Sequence, residues 1–284
     1  MKYMRDGLSD DYGILRLQDK ILEIMVDVDA LCRNNGIGYY IMGGTALGAK
    51  RHGGFIPWDD DLDVFMEPGQ YERFRACFDQ LPKGKYVLCD DLDARGHTAL
   101  AKVRMNGTAY IEPLFRDRKD MHQGIYIDIF ILHNLPDNAV ARRWQYLWCK
   151  YLVALKLAHR GYNRRGGIYR LLMGLMRRLP SGFLCEYALG QAYRWDDGRL
   201  TREKCHFLGK ARYRGGRFDA RWFAEKCQIP FETVSLYAPC GLDAYLSARF
   251  GDYMRIPSPE QIRWEQHAET WDTERDYRFY AGGA

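Results

Sequence analysis

The most apolar run of the chain, residues 125–132, contains one carboxylate, Asp128. Seven of its eight residues are apolar, which predicts a strand that is buried in a sheet. An ionised carboxylate in such a strand is costly unless a cation or hydrogen-bond donors face it. Asp128 therefore indicates either a ligand of a metal ion or a buried ion pair with one of the arginines.

A second group of carboxylates, in Asp61-Leu62-Asp63, opens another predicted strand over 62–66. Side chains alternate between the two faces of a strand, so Asp61 and Asp63 project on one face and need a cation there. An all-oxygen site suits Mg²⁺ or Mn²⁺. We therefore predict that Asp61, Asp63 and Asp128 are the catalytic residues and the metal ligands.

The glycine pair Gly43-Gly44 ends a predicted strand over 39–42. Because glycine has no side chain, the diphosphate or triphosphate of a donor can approach the backbone closely there. Together with the carboxylates, this predicts a site for metal-dependent phosphoryl or nucleotidyl transfer. A short helix over 45–50 is expected to follow, with Thr45 as its N-cap.

The remaining pattern predicts an α/β or α+β sheet domain that is followed by a helical region. Apolar residues at steps of three and four over 11–34 indicate a helix with one buried face. Further predicted elements are a helix over 68–80, strands over 86–89 and 100–105, helices over 137–181 that break at Gly161 and Gly166, and a helix over 241–249.

The eight cysteines are scattered, with no CxxC pair and no spacing that is typical of a zinc site. The polar N-terminal residues lack the apolar stretch of an export signal, so reduced thiols and a cytoplasmic location are expected. No uninterrupted apolar run reaches the length of about 18 residues that a transmembrane helix needs. Peripheral attachment to the inner face of the cytoplasmic membrane is the alternative location.

Positive charge is concentrated in the middle of the chain, although the net charge is only +5. Between Asp137 and Glu186 there are ten Lys and Arg residues and no acidic residue. Segments 141–160 and 168–178 mix these with apolar residues, as do helices that bind anionic membrane surfaces. A helical subdomain with a solvated basic face is the alternative. Nucleic acid is not an expected partner, because the segment contains no recognised nucleic-acid-binding module.

The run over 43–63 resembles the signature of the LicD family and reads GGTALGAKRHGGFIPWDDDLD in this chain. Members of this family are similar to choline-phosphate transferases that act on bacterial glycans, and fukutin-type ribitol-phosphate transferases are more distant members. Three more segments resemble family motifs: VRMNGTAYIE at 103–112, IYIDIFIL at 125–132 and FGDYMRIPSPE at 250–260.

The resemblance implies an α+β fold with a nucleotidyltransferase-like mixed sheet flanked by helices. With the patterns above, it divides the chain into a catalytic core over 1–136, a helical basic region over 137–225 and a C-terminal segment over 226–284 that packs back on the active site. It implies Mg²⁺ or Mn²⁺ as the cofactor and CDP-choline or another CDP-alcohol as the donor. The acceptor is a hydroxyl of a cell-surface glycan, such as lipopolysaccharide or teichoic acid, or of its lipid-linked precursor, and CMP leaves.

Residues of the matched motifs are assigned to the donor phosphates, namely Gly43, Gly44, Thr45, Arg51, His52, Lys102 and Arg104. For His52 the alternative is a hydrogen bond that braces the loop. Lys102 and Arg104 share one face of a strand, and the alternative for them is a solvated sheet face. Asp59 and Asp60 are expected to cap the loop or to support the metal ligands.

Three residues are predicted to contact the substrate: Trp58, Tyr253 and His267. Trp58 would stack on a base or on choline, with core packing as the alternative. Tyr253, with Trp264 and Trp271, would form an aromatic cage for a quaternary ammonium group. For His267 the alternative is an ordinary exposed histidine.

Two other functions stay open from the sequence. A nucleotidyltransferase would keep the fold and attach a nucleoside monophosphate from a nucleoside triphosphate. A non-catalytic adaptor would use the basic segment to bind a membrane or a polyanion. The intact set Asp61, Asp63 and Asp128 favours an enzyme, because an adaptor would be free to lose these carboxylates.

Overall fold

The computed structural model describes residues 10–116, 118, 120–159, 174–175, 181–262 and 267–280. The chain divides into two compact units. The first consists of Met1–Asp90, Ala101–Phe130 and Trp222–Ala284, and the second of Asp91–Leu100 and Ile131–Arg221.

The described helices and strands give an α+β fold, as predicted. The helices are α1 Leu15–Asn34, α2 Gly43–His52, α3 Pro68–Cys77, α4 Ala139–His159, α5 Ser181–Tyr193, α6 Leu242–Phe250 and α7 Pro259–Ile262. The strands are β1 Tyr40–Ile41, β2 Asp63–Met66, β3 Tyr86–Asp90, β4 Leu100–Met105, β5 Ala109–Ile111, β6 Tyr126–Ile131, β7 His133–Leu135, β8 Glu203–Cys205, β9 Arg217–Asp219, β10 Lys226–Phe231, β11 Val234–Pro239 and β12 Thr270–Asp272. The predicted breaks at Gly161 and Gly166 lie outside the described residues.

The first unit is built on a five-stranded sheet with the order β1-β2-β6-β4-β3. The apolar run over 125–132 supplies β6, the central strand, which explains why it is apolar on both faces. β1 pairs antiparallel with β2, and β3 pairs antiparallel with β4. The carboxylate-bearing strands β2 and β6 are therefore neighbours.

Helix α1 provides much of the core of this unit. Leu17, Ile21, Met25 and Val28 are fully buried, and they follow the spacing of three and four that the sequence shows. The predicted helix with one buried face is therefore confirmed, and it begins at Leu15.

Helix α2 begins earlier than the sequence predicts. Its first residue is Gly43, with a φ of +54°, so the glycine pair forms the first helical turn and does not end a strand. Thr45 is not the N-cap. Its hydroxyl oxygen accepts a hydrogen bond from the backbone N–H of Asp63, at 2.8 Å. Thr45 thus ties the helix to the start of β2.

Strands β10 and β11 form an antiparallel hairpin that carries a disulfide between Cys227 and Cys240. The expectation of reduced thiols is wrong for this pair. The two cysteines are 13 residues apart, so no short sequence motif predicts the disulfide. The pairing of the two strands in the hairpin brings them together. The other six cysteines have free thiols.

In the second unit, α4 packs against α5 through a small core of Leu152, Ala188 and Leu189. Strands β7, β8 and β9 form a separate antiparallel sheet. The buried side chain of His133 on β7 pairs with Asp196 at 2.7 Å. Among the described residues, no helix has both the length and the hydropathy to cross a bilayer.

We predict that protonation of His122 lowers the free energy of unfolding at acidic pH. Its Nδ1 accepts the N–H of Gly124 and its Nε2 faces Asn106 Oδ1 at 2.8 Å, which is the pattern of a neutral ring. Burial and the nearby Arg104 lower the pKa of His122 to about 4, from an ordinary value of 6.5. The contribution of neutral His122 to the unfolding free energy is therefore complete above pH 6.5. It is lost as the pH falls towards 4, because the unfolded chain binds a proton that the folded chain excludes.

Urea titrations between pH 7 and pH 4.5 would measure this effect in the parent protein and in His122→Gln. The unfolding free energy of the variant should fall less steeply as the pH decreases. The difference between the two slopes should be smaller than the one-proton limit of about 1.4 kcal/mol per pH unit, because the ring is partly solvated. Equal slopes for the two proteins would contradict the assignment.

Candidate active site

The loop before β2 buries several adjacent carboxylates. Asp59 and Asp60 are 9% and 2% exposed, and the side chain of Asp61 is 20% exposed. The strand starts only at Asp63, so Asp61 precedes the strand instead of lying on it as predicted. Three consecutive carboxyl groups and Asp63, one residue further on, therefore lie at buried or half-buried positions.

Asp60 is held by the C-terminal part of the chain. Its carboxylate accepts the backbone N–H groups of His267 at 2.7 Å and Ala268 at 2.9 Å, and the Nδ1 atom of His267 lies 3.0 Å away. Burial opposes the charge of Asp60, but these hydrogen bonds prevail and lower its pKa. His267 thus lies within the carboxylate cluster, with Nδ1 3.7 Å from Asp61 Oδ2.

Asp59 and Asp61 form a carboxyl pair. Burial, followed by the charges of Asp61 and Asp63, raises the pKa of Asp59 well above its ordinary value, and a side-chain hydrogen bond joins Asp59 to Asp61. Burial also raises the pKa of Asp61, with His267 opposing the shift and Asp128 adding to it. Both shifts oppose ionisation of the pair, and a cation beside Asp61 would stabilise its ionised form.

Asp128 on β6 faces a lysine on the neighbouring strand β4. The Nζ atom of Lys102 lies 2.6 Å from Asp128 Oδ1 and 3.5 Å from the centre of the Tyr126 ring. The partner of this buried carboxylate is thus a lysine, not one of the arginines considered from the sequence. Arg104 also lies over Tyr126 and donates to the carbonyl oxygen of Gly124, at 2.9 Å. Neither side chain lies on a solvated sheet face: Lys102 is 16% exposed and Arg104 is 3% exposed.

The N-terminus of α2 lies beside the carboxylates. The N–H of Gly43 donates to the hydroxyl of Tyr245 at 3.0 Å. A Cβ atom on Gly44 would lie only 2.5 Å from Asp59 Oδ2, and one on Gly43 would lie 3.4 Å from Asp63 Oδ2. The glycine pair therefore makes room for carboxyl groups at the positive end of the helix.

Arg51, at the end of α2, links the loop to the C-terminal part of the chain. Its Nη1 donates to the carbonyl oxygens of Tyr253 at 3.0 Å and Arg255 at 3.1 Å, and its Nε donates to His52 Nε2 at 2.9 Å. Partial burial and the charge of Arg51 lower the pKa of His52. The structure thus shows the bracing hydrogen bond that the sequence left as the alternative for His52.

Two of the aromatic residues predicted to contact the substrate, Trp58 and Tyr253, make contacts with other side chains of the protein. Trp58 is 4% exposed and its ring lies edge-on to His52, which is the packing alternative. The hydroxyl of Tyr253 donates to Asp243 at 2.7 Å. Trp271 lies on β12, which pairs with β5, and Trp264 lies outside the described residues. The aromatic cage stays a prediction.

Two residues that support the site were missed from the sequence. Tyr245 is 1% exposed and accepts the N–H of Gly43. The Oε1 atom of Glu232 accepts the N–H of Phe55 at 2.8 Å, and the Glu232 N–H donates to the carbonyl of Gly53. Both partners are separated from the motif by more than 170 residues, so no local pattern could have found them.

Within the ranges that the structure describes, no three Cys, His, Asp or Glu side chains are arranged to hold a metal ion. The predicted metal site at Asp61, Asp63 and Asp128 therefore stays a prediction. The donor atoms available at these positions are carboxylate oxygens, which suit Mg²⁺ or Mn²⁺.

We predict that Gly44→Ala lowers the unfolding free energy by about 1–3 kcal/mol, because the added methyl group overlaps the Asp59 carboxyl. Asp59→Ala removes that carboxyl, so the double variant should lose less than the sum of the single effects. Gly69→Ala, where a Cβ meets nothing within 4 Å, is the matched control and should not be destabilising. Denaturant titration of the four variants would measure the coupling, and additive losses would contradict the contact.

Comparisons with known proteins match the part of the chain that contains these residues. Residues 36–150, which include β2, β4 and β6, match the family model described as LicD/FKTN/FKRP, nucleotidyltransferase domain. The lipopolysaccharide cholinephosphotransferase LicD of Haemophilus influenzae is 26% identical over 269 residues, covering 87% of this chain and 93% of that protein.

Two other relatives match shorter segments. An uncharacterized protein of Rickettsia prowazekii is 50% identical over 118 residues, which is 42% of this chain and 41% of that protein. The human ribitol 5-phosphate transferase FKRP is 46% identical over 44 residues, 14% of this chain and 9% of that protein. Residues 36–150 are thus similar to the nucleotidyltransferase domain of the LicD/FKTN/FKRP family, and most of the chain is similar to the Haemophilus influenzae LicD protein.

Proposed function

We propose that this protein transfers a phosphorylated alcohol, with phosphocholine as the leading candidate, from a CDP-linked donor to a hydroxyl of a cell-surface glycan, and that CMP is released. The observation that carries the proposal is the buried cluster of Asp59, Asp61 and Asp128, where strand β6 lies beside β2. Structural cores do not usually concentrate carboxyl groups whose negative charges oppose one another, and functional sites do.

The acceptor and the alcohol follow from the relatives. The Haemophilus influenzae relative, which this chain covers almost fully, is named for cholinephosphate transfer to lipopolysaccharide. The FKRP relative is named for ribitol 5-phosphate, so ribitol is the second candidate alcohol. A lipopolysaccharide-type glycan is therefore the proposed acceptor.

The carboxylates fit a divalent cation of the predicted kind. Mg²⁺ usually binds one or two protein carboxylates together with oxygens of the substrate phosphates, so a complete cage of protein ligands is not required. Asp61 and Asp128 would hold the ion, with Asp63 as the third candidate. When bound, the ion would supply charge stabilisation to the diphosphate.

The protein's own groups have separate tasks in the proposed reaction. Asp128, with the Lys102 ammonium 2.6 Å away, is either a ligand or the base that accepts the proton of the acceptor hydroxyl. The acceptor oxygen forms a bond to the phosphorus distal to the nucleoside, and the bond from that phosphorus to the oxygen of CMP breaks. The positive end of α2 and the guanidinium of Arg51 would hold the phosphates.

A nucleotidyl transfer is the second candidate, because the family domain is described as a nucleotidyltransferase domain. The two reactions differ in which phosphorus is attacked. Incubation with choline-labelled CDP-choline and with CTP labelled in its nucleoside, each with lipopolysaccharide that lacks phosphocholine, would distinguish them. We expect the glycan to become labelled by CDP-choline and not by CTP.

We predict that Asp61→Asn and Asp128→Asn each lower kcat/KM by at least about 10²–10³-fold while the far-ultraviolet circular dichroism is kept, because each removes a charge that acts on the reacting phosphates. Asp79→Asn, an exposed carboxylate of the same unit, is the matched control and should keep full activity. EDTA should abolish turnover, and Mg²⁺ or Mn²⁺ should restore it. Full activity in EDTA or in Asp61→Asn would contradict the proposal.

We predict inversion of configuration at phosphorus, because a single in-line displacement needs no covalent intermediate. A chiral phosphorothioate analogue of the donor, followed by stereochemical analysis of the product, would measure the outcome. Net retention would show that a phospho-enzyme forms and that the single-step scheme is wrong.

A further inference from the structure

Helix α4 exposes an apolar stripe although its opposite face is packed. Val140, Trp144 and Leu147 are 78%, 47% and 60% exposed. Their spacing of four and three residues puts them on one face of the helix. On α5, Phe183 and Tyr187 are 79% and 36% exposed and lie one turn apart. We name these five residues the α4–α5 face.

The two stripes form one surface. The Nε1 atom of Trp144 donates to Gln191 Oε1 at 3.1 Å, which links α4 to α5. The rings of Trp148 and Tyr187 meet edge-on with their centres 4.9 Å apart. Large apolar side chains that lie together on a surface mark a binding site, whereas single ones do not.

A shallow groove of about 310 Å³ adjoins the start of this surface. Its lining is mainly apolar and includes Val140, Trp144 and Trp195. Arg194 also lines the groove, and its guanidinium lies 5.7 Å from the centre of the Trp195 ring. An apolar floor with an arginine at the edge suits a molecule that has an apolar tail and an anionic head.

The second unit is strongly basic. It holds 20 Lys and Arg residues against 8 Asp and Glu residues, a net charge of +12. Since the whole chain carries +5, the first unit carries −7. Arg143 and Arg194, which adjoin the α4–α5 face, are exposed. A negatively charged partner would therefore be attracted to this unit and repelled by the other.

We propose that the α4–α5 face docks the protein on the surface of an anionic bilayer. Aromatic and aliphatic side chains would enter the interface between headgroups and acyl chains, and the arginines would contact lipid phosphates. A second copy of the chain fits less well, because two units of charge +12 repel each other. A soluble polyanion would leave the apolar stripe in water. The inference is independent of the proposed reaction.

The test is flotation of the protein with vesicles of phosphatidylcholine alone and with vesicles that contain about 40% phosphatidylglycerol, which makes their surface strongly negative. The protein should float with the anionic vesicles at low salt, and the bound fraction should fall as salt rises. It should not float with neutral vesicles to the same extent.

The matched variants are Phe183→Gln on the α4–α5 face and Phe279→Gln in the first unit, where the phenyl ring is 65% exposed. Phe183→Gln and Leu147→Gln should each weaken vesicle binding by about tenfold, because each removes a large apolar side chain from the interface. Phe279→Gln should bind as the parent does. Arg194→Gln should weaken binding and reduce its dependence on salt.

Three results would overturn the proposal. One is absence of flotation with anionic vesicles at low salt. Another is equal binding by Phe183→Gln, Leu147→Gln and Phe279→Gln. The third is dimerisation in sedimentation equilibrium that Phe183→Gln abolishes, together with no vesicle binding, which would assign the face to a second copy of the chain.

Discussion

The burial of adjacent carboxyl groups before β2 is the constraint on which the first unit depends. Each buried charge costs several kcal/mol, on the order of the whole stability of a domain, unless a partner is supplied. The structure supplies His267 and the Ala268 N–H to Asp60, and it supplies Lys102 to Asp128. Burial raises the pKa of both Asp59 and Asp61, so the protein's own groups stabilise the negative charge of the cluster only in part.

These partners explain why the C-terminal residues belong to the same unit as the N-terminal motif. The Tyr245 hydroxyl accepts a hydrogen bond from the N–H of Gly43, and the Glu232 carboxylate accepts one from the N–H of Phe55. The guanidinium of Arg51 donates a hydrogen bond to the carbonyl oxygen of Tyr253. Each contact joins the motif to a residue more than 170 positions later. The motif region is therefore positioned by long-range hydrogen bonds as well as by the sheet.

What could be predicted from the sequence is what local periodicity determines. The apolar run over 125–132 gave the central strand, and the strand over 100–105 has the predicted bounds. The Lys102–Asp128 pair and the Cys227–Cys240 disulfide were not predictable, because each depends on which strands are neighbours and in which register. The early start of α2 was missed for another reason: a glycine pair is usual in a turn and unusual in a first helical turn.

The packing around the glycines changes how the family motif is understood. A Cβ on Gly44 would strike Asp59, one on Gly48 would lie 2.4 Å from the carbonyl oxygen of Gly54, and one on Gly54 would strike Glu232. These glycines allow close contacts within the protein. The absence of their side chains therefore does not by itself create a phosphate site. In the proposed reaction, the donor phosphates would therefore be bound by groups that carry positive charge, such as the N-terminus of α2 and Arg51. Because the N-terminus of α2 lies beside the acidic cluster, a cation between carboxylates and phosphates would reduce the repulsion that otherwise opposes binding of the proposed donor.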